Sequence, residues 1–455
     1  MSDLSKSPEG KPIYEGSVKR LWQSPDDADN LRFEFTDDYS IFDWGKMPDT
    51  ITNKGKALAF LGAHFFETFG EAKFWQSLRE SKYLKRFGGD WLKRRFSHPV
   101  YETLTTSGLP HHFKRLVNAG GTVDRTAIAT TDKVYMEVVK ANVPNPELRK
   151  MLNHELYFYP HVSDQSKVRQ SSTAADGSVR RLVPLEIVFR FGMPEGSSLT
   201  SRLQKNPGYL RELGLPAVPT PGEWFPVPVI EFFTKLEPSD RLLSWTEASL
   251  MSGLSAQAFE DLLETTLYCA LGLYHLFAEK GLELWDGKFE FVVEYPANGK
   301  PRILLADSIG PDELRLICRG HHLSKELIRQ IYKDTPWTNA LSKAKDLAKQ
   351  RLEPDFKRIC AEELGQTPAP LTVAEREIVD GLYGSLANLM AGTEVFPNQP
   401  TMDDFVNTLQ TTFPQDKPDV GASGNRHAHR KSQPLRTAIH HTDKEISVKA
   451  RGDNK

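Results

Sequence analysis

Cysteine is scarce in this chain, and its few instances stand apart. Cys269, Cys318 and Cys360 are the three in 455 residues, and no two have Cys-x-x-Cys spacing. This excludes a disulfide-stapled secreted scaffold and a thiolate zinc module. Long apolar runs are missing too. The longest mostly apolar stretch, Leu267 to Ala278, is far short of the ~20 residues that a bilayer-spanning helix needs, and it reads as a buried helix. The first residues, MSDLSKSPEGK, hold no apolar signal core, so a cytoplasmic protein is expected. No excess of one charge is present: 58 basic and 60 acidic side chains give a net charge of -2. Binding of nucleic acid by bulk charge is thereby excluded. No internal repeat stands out. There is also no G-x-S-x-G or Cys/His nucleophile pattern.

What is present is a chain about twice the commonest domain size, so two domains or two lobes are expected. Residues 1–11 read as a flexible leader. Ile13 to Trp22 and Leu31 to Thr36 have strand patterns around the turn-rich QSPDDADN. Asn53 to Phe69 has helical spacing. Residues 71–100, rich in Lys, Arg, Trp and Phe, read as an amphipathic helix pair with a solvated basic face. Residues 163–180 are small and polar and read as a mobile loop. Strand patterns return at Leu182 and Pro226, and helical ones over Ala256–Lys280, Ser324–Tyr332 and Thr372–Met390. Beyond Pro414, residues 416–455 carry nine Lys/Arg against five Asp/Glu and four of the 13 histidines, with few apolar side chains. A disordered basic tail is expected there, with His427, His429, His440 and His441 solvated rather than ligating a metal.

The segment richest in chemistry is Gly281 to Arg315. Two strand-like runs flank Asn298-Gly299, a strong short-range hairpin signal. A two-residue turn would make paired residue numbers sum to 597, so that Val292 faces Leu305 and Glu290 faces Asp307. Directly opposed like charges are destabilising. Two facing carboxylates therefore call for a proton or a cation between them, and Mg²⁺ at nucleotide sites takes one or two carboxylates plus phosphate oxygens. Strand alternation puts Asp286, Lys288 and Glu290 on one face, with Phe289 and Phe291 on the other. The charged face reads as the floor of a phosphate-handling site. A longer or bulged loop would shift this register.

Three further features suit anions. Arg190 follows an apolar strand and precedes Gly196-Ser197-Ser198, where small residues let backbone N–H groups approach a phosphate. Lys19 follows Gly16. Lys235 ends the run PVIEFFTK, with Asp240 five residues on.

Taken in order, these pieces resemble the SAICAR synthetase family. The resemblance rests on Tyr14-Glu-Gly-Ser-Val-Lys-Arg20, Phe35-Thr-Asp-Asp-Tyr-Ser40, Gly108-Leu-Pro-His-His-Phe113 and Val183-Pro-Leu-Glu-Ile-Val-Phe-Arg190 with Gly196-Ser197. It continues through Pro228-Val-Ile-Glu-Phe-Phe-Thr-Lys235, Asp286-Gly-Lys-Phe-Glu-Phe291, Ala306-Asp-Ser-Ile-Gly-Pro-Asp-Glu-Leu-Arg315 and Ser324-Lys-Glu-Leu-Ile-Arg329. The resemblance implies an α/β (α+β) two-lobed fold with ATP in the cleft. Residues 12–140 would form a nucleotide lobe with an insertion at 71–102, residues 141–181 a second insertion, and residues 182–413 the substrate and metal lobe. The reaction implied is ATP-dependent: a carboxylate on an aminoimidazole ribotide is phosphorylated, and the amine of aspartate attacks the acyl phosphate.

By the same resemblance Lys19, Gly16 and Asp38 would serve ATP, and Glu290 and Asp307 would hold Mg²⁺. Arg190, Ser197 and Arg315 would bind the ribotide phosphate, and Lys288 would steady the reacting group. Lys235 and Asp240 would line the substrate. The partners implied are small molecules, with neither membrane nor nucleic acid. The chain also departs from the family. Its Gly-Lys-x-Lys segment is Gly16-Ser17-Val18-Lys19, its Arg-Asn pair is Arg190-Phe191, and its Asp-Glu-x-Ser-Pro-Asp-x-x-Arg stretch is Asp307-Ser308-Ile309-Gly310-Pro311-Asp312-Glu313-Leu314-Arg315. Two alternatives follow: an amide-forming ligase acting on another carboxylate or amino acid, and a non-catalytic binding protein on the same fold.

Overall fold

The computed structural model describes residues 10–163, 173–353 and 355–413. Most of the leader, the centre of the 163–180 loop and the tail with its four histidines lie outside the described residues.

Two antiparallel sheets carry the fold. The first has six strands: β1 (Tyr14–Glu15), β2 (Lys19–Gln23), β3 (Asn30–Phe35), β4 (Phe113–Asn118), β5 (Gly121–Thr122) and β6 (Tyr135–Val139), in the order β1-β2-β3-β6-β4-β5. An exposed hairpin follows, β7 (Glu147–Met151) with β8 (His154–Phe158). The second sheet holds β9 (Val179–Leu182), β10 (Leu185–Met193), β11 (Glu223–Thr234), β12 (Leu242–Leu243), β13 (Glu283–Tyr295), β14 (Arg302–Ala306), β15 (Leu314–Cys318) and β16 (His321–His322). Its spine is β13. The first half of β13 lies between β10 and β15, and the second half between β14 and β9.

The helices fill the space around the sheets because their apolar faces are wide. Helix Lys54–Gly70 buries Phe65, Phe66 and Phe69 completely. Helix Ala256–Glu279 buries Tyr268, Cys269, Leu271 and Leu273, and contains the apolar stretch read as a buried helix. Helix Val373–Ala391 starts with a reciprocal Thr372–Glu375 capping box, which satisfies two otherwise orphaned N–H groups. It packs on helix Lys54–Gly70. One continuous apolar core runs through both sheets, from Phe33 and Met136 to Phe189 and Phe289.

Several expectations need correction. The run Ile13–Trp22 is two strands broken by a turn, where the Gly16 N–H donates to the Lys19 carbonyl at 2.9 Å. Residues 71–100 form three short helices, Ala72–Leu78, the 3-10 helix Lys82–Phe87 and Gly89–Arg95, not a pair. Their apolar sides join the core: Trp75, Leu78, Leu84 and Phe87 are buried, and the first two helices pack on Ala256–Glu279. The described end of the 163–180 loop turns at Ala174–Ser178 and is already strand at Val179.

The main correction concerns the Asn298-Gly299 hairpin. The strands stop at Tyr295 and Arg302, and the register pairs Glu290 with Ala306 and Val292 with Leu304. The sum is therefore 596, and Glu290 does not face Asp307. Only Gly299 of the dipeptide has positive φ, at 124°, so the two-residue turn does not form. The reason lies in the flanks. Pro296 and Pro301 have no N–H to give to a ladder, so pairing ends before them and the loop widens.

Candidate active site

The site forms where the two sheets meet, and the Gly108–Phe113 block makes the joint. The Leu305 N–H donates to the Pro110 carbonyl at 3.0 Å, and the His112 N–H donates back to the Leu305 carbonyl at 3.0 Å. The His112 Nε2 donates to the Asp307 carbonyl at 2.9 Å. Burial pushes the pKa of this imidazole down to about 3, so it is a neutral clamp. Asp307, the first residue past β14, has φ of 61°, in the left-handed region that Asp tolerates better than most residues. Its side chain meets Lys19 of β2 in an ion pair. One residue from each sheet thus closes the joint.

On β13, alternation does place Asp286, Lys288 and Glu290 on one face. Neighbouring strands add to the same face: Arg190 of β10 and Arg315 of β15 both pair in register with Asp286. Gly287 lies between them because a Cβ there would come within 2.5 Å of Leu314 Cδ2 and 2.7 Å of Phe189 Cζ.

The charges gather in two groups. In the first, Lys235 Nζ lies 2.5 Å from Glu290 Oε1, and Lys288 Nζ lies 3.2 Å from the same oxygen. Lys288 also donates to Glu186 at 2.8 Å. Glu290 is only 4% exposed. Burial alone would raise the pKa of Asp307, but Lys19, Lys235 and Lys288 outweigh it and hold the carboxyl far below the usual range. The two lysines Lys235 and Lys288 are pushed up, against burial, by Glu290 and its neighbours. Asp240 borders this group, its pKa raised by burial and by Glu186. So the carboxylates are not forced against each other by a turn. Three lysines draw them into one field.

The second group is a buried arginine–carboxylate net. Arg190 donates to Glu231 through Nε and to Asp286 through Nη1, the latter at 2.8 Å. Glu231 also accepts from Arg202 at 2.8 Å and from Tyr209 at 2.7 Å. Arg315 Nη1 sits 3.5 Å from Asp286 but is buried without a hydrogen-bond partner. Ser197 caps helix Ser198–Lys205, its Oγ accepting from the Leu199 N–H at 3.3 Å. The other two expected site residues make their contacts elsewhere. Asp38 pairs with Lys46 at 3.2 Å, and Gly16 shapes the turn before Lys19.

Sequence reasoning missed Glu186, Glu231, Arg202, Asp312 and Glu313. Glu231 did leave a signal, as the lone charge in the apolar run Val227–Phe233. Glu313 left none: Ser308 Oγ donates to its Oε1 at 3.0 Å, its Oε2 is buried unpartnered, and burial with Asp312 and Asp307 nearby raises its pKa. Phe191, where the family has Asn, is core here. It packs 5.4 Å from Phe87 of the 71–100 segment and 4.9 Å from Tyr274.

Among the described residues no three His, Cys, Asp or Glu side chains gather as a metal cage. Glu290 and Asp307 nevertheless suit Mg²⁺, which is commonly held by one or two carboxylates and completed by phosphates and water. Both offer hard carboxylate oxygens in one lysine-rich field, the setting in which a phosphate would also be drawn.

A joined pair of sheets with lysines and carboxylates at the joint is an arrangement that suits phosphate groups, as an ATP-dependent ligase would need. A family profile for SAICAR synthetase matches residues 12–344. A provisionally named phosphoribosylaminoimidazole-succinocarboxamide synthase of Archaeoglobus fulgidus is 30% identical over 399 residues, covering 87% of this chain and 98% of that one. The phosphoribosylaminoimidazole-succinocarboxamide synthase of Thermoplasma acidophilum is 27% identical over 355 residues, 76% and 90% of the two chains. Among solved structures, the SAICAR synthase of Saccharomyces cerevisiae complexed with SAICAR aligns at 17% identity and a TM-score of 0.46, over 86% of this chain and 99% of that one. The chain belongs to the SAICAR synthetase family, whose members are ATP-dependent ligases of purine biosynthesis. No helix among the described residues is long and apolar enough to cross a membrane.

Proposed function

We propose that this chain joins aspartate to carboxyaminoimidazole ribotide at the expense of ATP. The observation that carries the reading is the convergence of Lys19, Lys235 and Lys288 on Glu290 and Asp307 where the sheets meet. Phosphoryl transfer asks the protein for position and field, and needs no nucleophilic side chain. The ribotide carboxylate oxygen attacks the γ-phosphorus and ADP leaves. The amine of aspartate then attacks the acyl carbon, loses a proton, and phosphate departs.

In this reading residues 12–140 serve the nucleotide and residues 182–413 the substrates. Lys19, beside Gly16 and Asp38, meets the nucleotide phosphates. Glu290 and Asp307 would hold Mg²⁺, which neutralises charge on the transferred phosphoryl oxygens. Lys288 and Lys235 steady the reacting carboxylate, with Asp240 at the margin. Arg190, held by Glu231 and Asp286, positions rather than binds. Arg315, whose Nη1 lies beside Asp286 but makes no hydrogen bond, reaches for the ribotide phosphate together with Ser197.

Phe191 and the missing lysine at position 17 favour a second reading, an altered carboxylate substrate for the same chemistry. One assay tests both. Purified protein is mixed with ATP, Mg²⁺, carboxyaminoimidazole ribotide and aspartate, and ADP and amide are measured. Stoichiometric ADP and amide are expected. ADP release only with other carboxylates or amines moves the assignment to the second reading, and no turnover with any of them overturns the ligase assignment.

A further inference from the structure

A cavity of about 560 Å³ opens away from the joint, and among the described residues His161, Val179, Arg181, Gly253 and the 295–301 loop line it. Tyr295 lines it, five residues along β13 from Glu290, which at ~3.3 Å per residue separates their backbone positions by about 16 Å. Arg181 lines it too. This side chain is 3% exposed, and its Nη2 donates to the Ser252 carbonyl at 2.9 Å. Its Nε and Nη1 are buried and have no acceptor among the described residues. The acids nearby in the strands are already taken: Glu294 accepts from Arg180 and Arg302, and Asp176 accepts from Arg180 and Ser178. A guanidinium stays charged in a protein, and a buried charge without a partner is among the costliest groups a fold can hold.

His161 stands on the same wall. Its Nε2 lies 3.1 Å from the Met251 carbonyl, which can only accept, so the proton is on Nε2. Its Nδ1 is then an acceptor, buried with no donor. Gly253 keeps the floor open. A Cβ there would sit 3.0 Å from His161 Cδ2 and 3.6 Å from Arg181 Nη1, and its φ of 64° favours glycine as well. Tyr295, Pro296, Ala297 and Pro301 add an apolar stretch to a lining that is otherwise mostly polar.

We propose that this cavity binds a phosphate-class oxyanion, a small phosphate monoester or orthophosphate itself. An ionised oxygen answers Arg181, and an O–H on the phosphorus answers the bare Nδ1 of His161. The cavity exceeds what orthophosphate fills and falls in the range of small-molecule pockets, with an apolar wall for the esterified group. The site is separate from the ligase site and does not rest on the substrate reading above.

The test is calorimetric titration of the full chain at constant ionic strength, with Mg²⁺-ADP saturating. Orthophosphate, glycerol 1-phosphate and sulfate are the probes. Saturable binding of either phosphate is expected, weaker for sulfate, which lacks the O–H. Tighter binding of glycerol 1-phosphate assigns the site to monoesters, and tighter orthophosphate assigns it to the free ion. Arg181→Met should weaken binding by roughly tenfold or more, the loss of one charge-assisted contact. Ala297→Trp, which keeps the arginine and fills the cavity, should do the same, and ADP affinity should be unchanged in both. No binding to the wild type at tens of millimolar, or unchanged affinity in both folded variants, overturns the proposal.

Discussion

Lys54→Met tests how the ligase site is held from behind. Lys54 is wholly buried, and its Nζ lies 2.8 Å from Asp312 Oδ2, with the carboxylate itself 6% exposed. The contact is poorly angled for a hydrogen bond, so the attraction is chiefly between charges. Tyr383 of helix Val373–Ala391 donates to the other oxygen, Oδ1, at 2.6 Å. Burial would raise the pKa of Asp312, but Lys54 and then Lys325 pull it below the usual range. Removing one partner of a buried pair costs about 3–5 kcal/mol. Unfolding entropy is ~2.1 cal/mol/K per residue, so over roughly 390 described residues this lowers the unfolding midpoint by about 4–6 °C. Lys325 nearby sets the fall toward the lower end. The double variant Lys54→Met/Asp312→Leu, with neither charge, should recover to within about 1–2 kcal/mol of wild type. Scanning calorimetry reads both. A single variant within about 1 °C of wild type, or a double variant no better than the single, refutes the pair as a buried clamp. The pH dependence follows from the same pair. The stability from Asp312 is complete above its unfolded pKa of about 3.9 and is lost as pH falls through its lower folded value. Lys54→Met should flatten that acid limb.

Four other substitutions address the site directly. Glu290→Gln and Asp307→Asn should each abolish turnover while circular dichroism stays native, and near-normal activity across Mg²⁺ concentrations would sink the metal assignment. Lys235→Met removes the closest cation from Glu290, and steady-state kinetics should show kcat lowered by about 10²–10³. Gly287→Ala drives a methyl against Leu314 and Phe189, and chemical denaturation should show a loss of about 1–3 kcal/mol from overpacking.

The local pattern was legible where one strand or helix decides it. Alternation in Asp286-Gly-Lys-Phe-Glu-Phe291 assigned the charged and apolar faces of β13 correctly, because the Cβ direction depends only on position in a strand. The amphipathic runs gave helices Lys54–Gly70 and Ala256–Glu279 to within a residue or two. The candidate cations and carboxylates were legible by type, and Lys19, Lys235, Lys288, Glu290 and Asp307 do converge. The argument for their convergence was not legible. Asn298-Gly299 read as a tight turn, but the two flanking prolines withdraw donors from both strands, and the register slips by one. A one-residue slip leaves each strand intact and changes every partner.

The sequence by itself determined the strand faces, the buried helices and the chemical kinds of group available, since these depend on spacing and side-chain type within a short window. Only the tertiary structure decided which charges meet. Lys19 reaches Asp307 across 288 positions of chain because the Pro110–His112 segment hydrogen-bonds to β14. Arg181 is left without an acid among the described residues, where Glu294 and Asp176 are already engaged by Arg180, Arg302 and Ser178. Electrostatic energy depends on separation in space and on exclusion of water, and neither is written in the order of residues.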